Sequence, residues 1–321
     1  MSLNSTYLQM FSTVSDTGEL RLELIEQETP KPEANQVLVR VEATPINPSD
    51  QGVMFGWADI ANAKSSGEGK GTVLSAPVSE QGLGVMKARM GQSLPVGNEG
   101  AGTVVATGDS EMAKSLDGKI VAVMGGGMYG EYRCVDASSC LPLLDGHTAK
   151  DGASCFVNPL TALSMIETMN MEGHSALIHT AAASNLGQML VRICQQDGVE
   201  LVNIVRKDEQ ADLLRSMGAK YVVNSSSDNF MSELTDAIEA TGATLAFDAT
   251  GGGTLASTIL SCMEAAAART PGAYSIYGSI KHKQVYLYGG LDTSATTLNR
   301  GYGMAWGVGG WLLPNFLTQL I

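Results

Sequence analysis

The second half of the chain alternates short apolar runs with stretches of helical periodicity, and this alternation constrains the fold more than any other feature. The apolar runs cover residues 176–179, 201–205, 221–223, 245–248 and 273–277. The helical stretches cover residues 187–196, 208–217, 228–240 and 254–268. Apolar strands that alternate with helices are typical of a parallel sheet with helices on both faces. We therefore predict an α/β fold with a doubly wound parallel sheet.

The first half of the chain has a different pattern. Residues 36–43 alternate apolar and polar side chains, as a half-buried strand does. Residues 100–108, 118–124 and 131–135 are further strand candidates next to glycines. Residues 56–94 are rich in Gly, Ser and Lys and have little pattern, so we predict an insertion or lid there. This half is predicted to form an irregular β-barrel.

Length, charge and cysteine content exclude several classes of protein. The 321 residues are too many for one ordinary core and indicate about two domains. The formal net charge of −13 argues against binding to nucleic acid or to an anionic membrane, which requires an excess of Lys and Arg. Five cysteines without a CxxC spacing predict reduced thiols in a cytoplasmic protein. Glycines and Pro314 interrupt the apolar tail, which argues against a membrane span.

The first apolar run of the second half is followed by the sequence TAAASNLG, residues 180–187, and then by a helix. A dinucleotide-binding fold places its pyrophosphate turn at this point, where small residues let the backbone approach the phosphates. Only Gly187 matches the glycines of the usual motif, so the position between a strand and a helix supports the prediction. The alternative is a tight turn in another doubly wound protein. The predicted contacts are Ala182, Ala183, Ser184, Asn185, Leu186 and Gly187.

The end of the next apolar run indicates which dinucleotide binds. An NAD site is expected to carry Asp or Glu near this point, but the run ends in Arg206 and Lys207. Two cations suit the 2′-phosphate of NADPH, and the alternative is a solvated pair at a strand end. Ligands of such sheets lie beyond the carboxyl ends of the strands, although glycines there also make simple turns. The remaining predicted cofactor contacts are Thr161, Asn224, Thr250, Gly251, Tyr277 and Gly278.

Five segments in family order resemble the medium-chain dehydrogenase/reductase superfamily, closest to its zinc-independent quinone reductase and enoyl reductase branches. They are residues 46–50, 97–102, 158–162, 181–187 and 214–219. The resemblance implies a GroES-like β-barrel catalytic domain at residues 1–157 and a Rossmann NADPH-binding domain at residues 158–290. It also implies that residues 291–321 start the return to the catalytic domain, and that the chain is truncated. A homo-oligomer is expected, with residues 284–290 as a candidate sheet edge.

Zinc-containing members of the superfamily carry a Cys near the position of Asn47 and a His at the position of Asn98. Zinc requires thiolate, imidazole or carboxylate ligands, and the four histidines have no ligand spacing, so we predict no metal site. Hydride transfer then depends on positioning and hydrogen bonds. The catalytic candidates are Asn47 as a donor to a carbonyl, Asp50, and Tyr129 as a proton donor. The alternatives are a capped turn for the first two and a barrel-corner tyrosine for the third.

The enoyl thioester reductases of the superfamily carry a catalytic tyrosine shortly after the motif at residues 46–50. This chain has no tyrosine between Asp50 and Gly97, and has Phe55 and Trp57 at the matching place. We therefore expect an NADPH-dependent reductase of a small molecule, a quinone or another conjugated carbonyl. A 2-enoyl thioester reductase and a non-catalytic NADPH-binding protein remain as alternatives. A carrier phosphate would find only one basic track, made of Lys64, Lys70, Lys87 and Arg89.

Overall fold

The computed structural model describes residues 4–269 and 275–319. The chain divides into two compact units, Met1–Val157 and Asn158–Ile321, called unit 1 and unit 2 below. Unit 1 is built on antiparallel sheets and unit 2 on a parallel sheet with helices. The predicted α/β fold is therefore confirmed.

Unit 1 contains two five-stranded sheets. Its strands are β1 (Thr6–Val14), β2 (Glu19–Glu28), β3 (Gln36–Ala43), β4 (Lys64–Ser66), β5 (Val73–Pro77), β6 (Ser93–Pro95), β7 (Glu99–Thr107), β8 (Ile120–Met124), β9 (Tyr132–Asp136) and β10 (Cys140–Pro142). Its helices are α1 (Pro48–Met54), α2 (Glu80–Val85), α3 (Glu111–Ser115) and α4 (Ala149–Gly152). The first sheet has the order β4-β5-β2-β1-β6 and the second β10-β8-β7-β3-β9.

The alternating pattern of residues 36–43 predicts β3 to the residue. Its side chains Val37 and Val39 are buried in one core with Val104 and Val121 from the neighbouring strands. Residues 56–94, predicted to be an insertion or lid with little pattern, form regular secondary structure. This segment contains β4, β5, α2 and β6, and β5 pairs with β2 in antiparallel register.

Unit 2 contains a six-stranded parallel sheet with the order β13-β12-β11-β14-β16-β18. Its strands are β11 (Ala176–His179), β12 (Glu200–Val205), β13 (Tyr221–Asn224), β14 (Leu245–Asp248), β15 (Gly251–Gly253), β16 (Lys283–Leu287), β17 (Asp292–Thr296) and β18 (Trp306–Gly310). Its helices are α5 (Val157–Met171), α6 (Asn185–Asp197), α7 (Asp208–Ser216), α8 (Phe230–Thr241), α9 (Leu255–Ala268) and α10 (Leu313–Gln319).

Two buried clusters cover the two faces of this sheet. Ile178 and its neighbours pack with α8 and α9, whereas Leu177 and its neighbours pack with α5, α6 and α7. Successive residues of a strand point to opposite faces, so β11 contributes to both clusters. The predicted doubly wound arrangement is confirmed.

The fifth strand of the sheet is not where the sequence predicts it. Residues 273 and 274 lie outside the described part of the chain, and residues 275–277 form a turn in which Ile276 and Tyr277 are exposed. The strand beside β14 is β16 instead, and Val285 at its centre is buried. The prediction of residues 284–290 as a free edge is also wrong, because β18 pairs with the other side of β16.

The last described residues extend unit 2. Strand β17 pairs with β15 and β18 pairs with β16, both in parallel register. Leu313 and Phe316 of α10 are buried. The described residues after position 291 thus belong to unit 2. The resemblance implied instead that the chain starts its return to the first domain there. No helix in the described ranges is long and apolar enough to cross a membrane.

Candidate functional site

The carboxyl ends of the parallel strands in unit 2 form the edge where ligands of doubly wound sheets bind. Thr180 directly follows β11, and its hydroxyl donates a hydrogen bond of 2.7 Å to Asp248 Oδ1 at the end of β14. The same hydroxyl accepts a hydrogen bond of 2.8 Å from the Ala249 N–H. Asp248 also accepts from the Thr250 and Gly251 N–H groups. This buried network fixes the spacing between the ends of the two strands.

The predicted pyrophosphate turn lies between β11 and α6. Ala182 is buried and its N–H donates to the Ile204 carbonyl of β12, which holds the turn against the sheet. Ser184 caps α6 by accepting a hydrogen bond of 3.2 Å from the Gly187 N–H. Leu186 and Gly187 are buried, whereas Ser184 and Asn185 are exposed. The turn therefore presents small polar residues and a helix N-terminus to solvent, as a phosphate site requires.

Gly187 allows the turn to approach the helix. A Cβ on this residue would lie 2.6 Å from the Ala182 carbonyl carbon and 2.8 Å from its Cα, and still closer to the carbonyl oxygen. These are backbone atoms, which cannot rotate away as a side chain can. The close approach between the backbone of the turn at Ala182 and the start of α6 therefore requires glycine at position 187.

Arg206 and Lys207 follow β12, and both are exposed. Their charged groups have no hydrogen-bond or ion-pair partner in the part of the chain that the structure describes. The next residue is an acid, Asp208, but its carboxylate accepts a hydrogen bond of 2.8 Å from the Asn224 amide. Asn224, a predicted cofactor contact, thus holds the acid at the start of α7.

Of the remaining predicted contacts, Thr250 and Gly251 lie at the end of β14, and Thr161 is buried on α5. Gly251 has a φ of +79°, and a Cβ there would lie 2.6 Å from the Gly289 carbonyl oxygen. The predicted contacts Tyr277 and Gly278 do not lie at this edge of the sheet. They precede β16, so they lie toward the amino ends of the strands and are not brought together with the other residues.

The residues that follow β16 are Tyr288 and Gly289, and Tyr288 is not among the contacts predicted from the sequence. Its hydroxyl lies 2.7 Å from Nε2 of His179, the last residue of β11, and the two rings stack with centroids 5.8 Å apart. His179 is completely buried, and this burial lowers its pKa to about 3, so the imidazole is neutral. Burial and the nearby Asp248 charge raise the pKa of Tyr288.

The catalytic candidates of unit 1 form a hydrogen-bonded group around α1. Asp50 is completely buried, and its oxygens accept from the Asn47 N–H at 2.7 Å and the Asn98 N–H at 2.8 Å. The Asn47 amide donates to Glu99 Oε1 at 2.9 Å. The other oxygen of Glu99 accepts from the Phe156 and Val157 N–H groups. Glu99 is not among the residues predicted from the sequence, although it directly follows Asn98.

Tyr129, the third catalytic candidate, is half-buried in the same unit. Its hydroxyl donates a hydrogen bond of 2.8 Å to the Pro45 carbonyl. Burial raises its pKa, and the charges of Asp50 and Glu99 add to this effect. A tyrosine with a raised pKa holds its proton more firmly, so this arrangement favours a role in shaping the turn before α1.

Two family models match the sequence. The model described as "Alcohol dehydrogenase GroES-like domain" matches residues 33–145, and the model described as "Zinc-binding dehydrogenase" matches residues 186–298. The first match lies in unit 1 and the second in unit 2.

Among curated proteins, the chain is similar to prostaglandin reductase-3 of Mus musculus, with 32% identity over 131 residues. This match covers 40% of the chain and 34% of that protein. The chain is also similar to the mitochondrial enoyl-acyl-carrier-protein reductase of Bos taurus, with 29% identity over 167 residues, 47% of the chain and 43% of that protein. The matches thus span less than half the length of either relative.

Among solved structures, the chain is similar to a candidate NADPH:quinone reductase of Mesorhizobium loti. The TM-score is 0.71 and the sequence identity 29%, and the match covers 99% of this chain and 85% of that one.

One family description names zinc, but the described residues do not fit a zinc site. In residues 4–269 and 275–319, no three His, Cys, Asp or Glu side chains lie together in a group that could hold a metal ion. Asn47 and Asn98 offer amides, which are not the thiolate, imidazole or carboxylate ligands that zinc takes. Glu99 accepts hydrogen bonds from one amide and two backbone N–H groups.

Proposed function

The chain belongs to the medium-chain dehydrogenase/reductase superfamily, and on this premise we propose that it is an NADPH-dependent reductase of quinones or other conjugated carbonyls that works without zinc. The observation that carries the proposal is the phosphate-type turn after β11, together with two cations after β12 that have no partner among the described residues. The names of the similar proteins, a prostaglandin reductase and a candidate NADPH:quinone reductase, support the same class of reaction.

The residues of unit 2 fit a dinucleotide with a 2′-phosphate. Ser184 and Asn185 would hold the pyrophosphate at the start of α6, which carries unpaired N–H groups and a positive dipole end. Arg206 and Lys207 would hold the 2′-phosphate. Asn224 assists because it keeps the Asp208 carboxylate hydrogen-bonded at 2.8 Å. When bound, NADPH supplies the hydride.

The unit 1 residues Asn47, Asp50 and Tyr129 enter the proposal as residues that shape the turn before α1. Each donates or accepts hydrogen bonds within unit 1. The hydride adds two electrons to the conjugated carbonyl and leaves an oxyanion, which then needs one proton. Because the Tyr129 hydroxyl already donates its hydrogen to the Pro45 carbonyl, we propose that water gives this proton and becomes hydroxide.

The second candidate function is reduction of a 2-enoyl thioester, which the similarity to the Bos taurus reductase favours. The basic track predicted for a carrier phosphate is incomplete, however. Lys64, Lys70 and Lys87 are exposed, but the Arg89 guanidinium donates to the Val53 carbonyl at 2.9 Å and to Ser12 Oγ at 2.8 Å. A non-catalytic NADPH-binding protein is the third possibility, and it predicts binding without turnover.

The experiment is a fluorescence titration with NADPH and with NADH, followed by turnover with 1,4-benzoquinone and with a crotonyl thioester. The variant Arg206→Ala removes a charge-assisted hydrogen bond of roughly 1.5–3 kcal/mol, so NADPH binding weakens by about 10- to 100-fold. Binding of NADH stays unchanged. The control Lys220→Ala removes an exposed cation that pairs with Glu200 at the amino ends of the strands.

Equal affinity of the wild-type protein for NADH and NADPH contradicts the assignment of Arg206 and Lys207. Turnover of the crotonyl thioester without turnover of the quinone supports the second candidate function, and binding without any turnover supports the third. A cytoplasmic location and a homo-oligomeric state complete the proposal. Sedimentation of the purified protein tests the oligomeric state.

A further inference from the structure

We propose that Tyr288 donates a hydrogen bond to a carbonyl oxygen of the bound ligands, and that His179 is the residue that positions it for this contact. The inference deepens the proposed function and rests on it. Its basis is the distance of 2.7 Å between His179 Nε2 and Tyr288 Oη at the carboxyl edge of the sheet.

Both residues are fixed by the strands that carry them. His179 is the last residue of β11, and Tyr288 directly follows β16, with β14 between the two strands. The Tyr288 N–H donates to the Asp248 carbonyl of β14 at 3.0 Å. The ring of Tyr288 stacks on the imidazole at an interplanar angle of 22°. The phenol is therefore held by its backbone, its ring face and its hydroxyl.

The surroundings of His179 decide which partner donates. Burial keeps the imidazole neutral, so it carries one hydrogen. Nδ1 has no hydrogen-bond partner among the described residues. A hydrogen on Nδ1 would be an unpaired buried donor, which folded proteins rarely contain, whereas an unpaired acceptor is better tolerated. The hydrogen therefore lies on Nε2, and His179 donates to the oxygen of Tyr288.

This direction leaves the hydrogen of the Tyr288 hydroxyl without an acceptor in the described part of the chain. A phenol both donates and accepts, so its hydrogen turns toward another oxygen. The raised pKa of Tyr288 keeps that hydrogen in place and favours donation of a hydrogen bond over transfer of a proton. A carbonyl oxygen fits this donor. The nicotinamide carboxamide and the reducible substrate both provide one.

The variant Tyr288→Phe keeps the ring and removes only the hydroxyl. Loss of one such hydrogen bond costs about 1.4 kcal/mol, or about tenfold in a binding or rate constant. A tenfold weaker NADPH affinity with no acceptor present identifies the carboxamide as the partner. An unchanged NADPH affinity with a tenfold lower kcat/KM for the quinone identifies the substrate carbonyl. If both constants stay at their wild-type values, the proposal is wrong.

The matched control is Tyr286→Phe. This residue lies two positions earlier, and its hydroxyl donates to Glu172 at 2.6 Å instead of facing the carboxyl edge. The control loses a tyrosine hydroxyl two residues before Tyr288, within β16, and leaves both constants unchanged. An equal loss in the two variants indicates a general weakening of β16 and overturns the assignment.

The role of His179 is tested without activity. In protein labelled with 15N in its four histidines, we expect His179 to carry its hydrogen on Nε2 at every pH between about 5 and 8. A hydrogen on Nδ1 overturns the positioning role. The variant His179→Gln keeps a donor near Oη and should restore part of the tenfold loss that His179→Leu causes.

The two failures are distinguishable. If the wild-type protein fails to oxidise NADPH with either acceptor, the quinone or the crotonyl thioester, the proposed function fails. The NMR signals and the NADPH affinity of Tyr288→Phe then still decide the inference. If the wild-type protein turns over and Tyr288→Phe behaves like it, only the inference fails.

Discussion

The substitution Gly187→Ala tests whether the turn after β11 is built as the structure shows. Gly187 is the third residue of α6, where Ala would ordinarily be the better choice. Replacing Gly with Ala in an exposed helix stabilises a protein by about 1 kcal/mol. The structure predicts the opposite sign here, because the new Cβ would lie 2.6 Å from the Ala182 carbonyl carbon and 2.8 Å from its Cα.

The two effects have comparable sizes, so the sign depends on whether the turn can move. Overpacking a rigid site costs about 1–3 kcal/mol, and backbone neighbours place this site toward the upper end. The Ala182 N–H is tied to β12 by a hydrogen bond of 3.1 Å, which opposes movement of the turn. After subtracting the gain from the higher helix propensity of Ala, we expect the free energy of unfolding of Gly187→Ala to fall by about 1–2 kcal/mol. This corresponds to a decrease in Tm of roughly 2–8 °C.

The assay is thermal unfolding in parallel with NADPH titration. The control is Gly52→Ala in α1, where a Cβ would have no neighbour within 4 Å, so its Tm stays equal or rises. Gly187→Ala should also bind NADPH more weakly, since the displaced turn would hold the phosphates. A Gly187→Ala protein that melts at or above the wild-type temperature refutes the reasoning.

Three further predictions concern buried polar contacts. Thr180→Val removes the hydrogen bond of 2.7 Å to the buried Asp248 carboxylate and that of 2.8 Å from the Ala249 N–H, and should cost about 2 kcal/mol in urea unfolding. Glu264→Gln leaves the Lys283 ammonium, which is only 1% exposed, without its counter-ion at 2.8 Å, and should cost about 3–5 kcal/mol at neutral pH. Asp50→Asn should lower the urea midpoint while leaving kcat within about twofold, because Asp50 binds backbone N–H groups.

The Glu264 contact also gives a pH dependence. Burial opposes its charged form, but hydrogen bonds from Lys283 and Ser279 outweigh burial and lower its pKa. A folded pKa below the unfolded one stabilises the protein above the unfolded pKa, and this stability is lost as pH falls through the folded pKa. The wild-type advantage over Glu264→Gln in urea midpoint should therefore shrink below about pH 4. An advantage that is constant with pH contradicts the ion pair.

Controls separate these effects from general damage. Thr258→Val removes the hydroxyl of a half-buried residue of α9 whose exposed hydrogen bond goes to Thr254 in the same region of the chain, so the free energy of unfolding should change little. If Thr258→Val lowers the free energy of unfolding as much as Thr180→Val does, the hydrogen bonds between the ends of β11 and β14 contribute no more to stability than an ordinary helix hydroxyl. If Asp50→Asn instead turns over about 100-fold more slowly at an unchanged urea midpoint, the catalytic role of Asp50 is restored.

Some strands of unit 2 could be predicted to the residue. The runs at 176–179 and 245–248 give the bounds of β11 and β14 without error. Both strands are buried on both faces, so every side chain carries the signal and no register has to be chosen. The pyrophosphate turn can also be predicted from the sequence, because its signal is local: a strand, a run of small residues and the start of a helix.

The position of the fifth strand does not follow from the sequence, because residues 273–277 and the residues of β16 are both candidates for it. Residues 273–277 carry an apolar pattern, while β16 begins with Lys283, which a sequence rule assigns to the surface. The lysine is buried because Glu264 of α9 neutralises it at 2.8 Å. That contact joins distant parts of the chain, so no local pattern contains it. A strand at residues 273–277 puts the predicted contact at Tyr277, whereas the residue that follows the strand in the structure is Tyr288.

The same reason explains why the His179–Tyr288 pair was missed. The two residues are 109 positions apart, and the sheet order β11-β14-β16 places one strand between them. Only side chains long enough to reach over β14 can meet there, and these two rings do so at 2.7 Å. A glycine motif reports where the backbone comes close to a ligand, and it can be found within a few residues. Side chains that face the ligand depend on strand order, so the ends of alternate strands are where further functional residues should be sought.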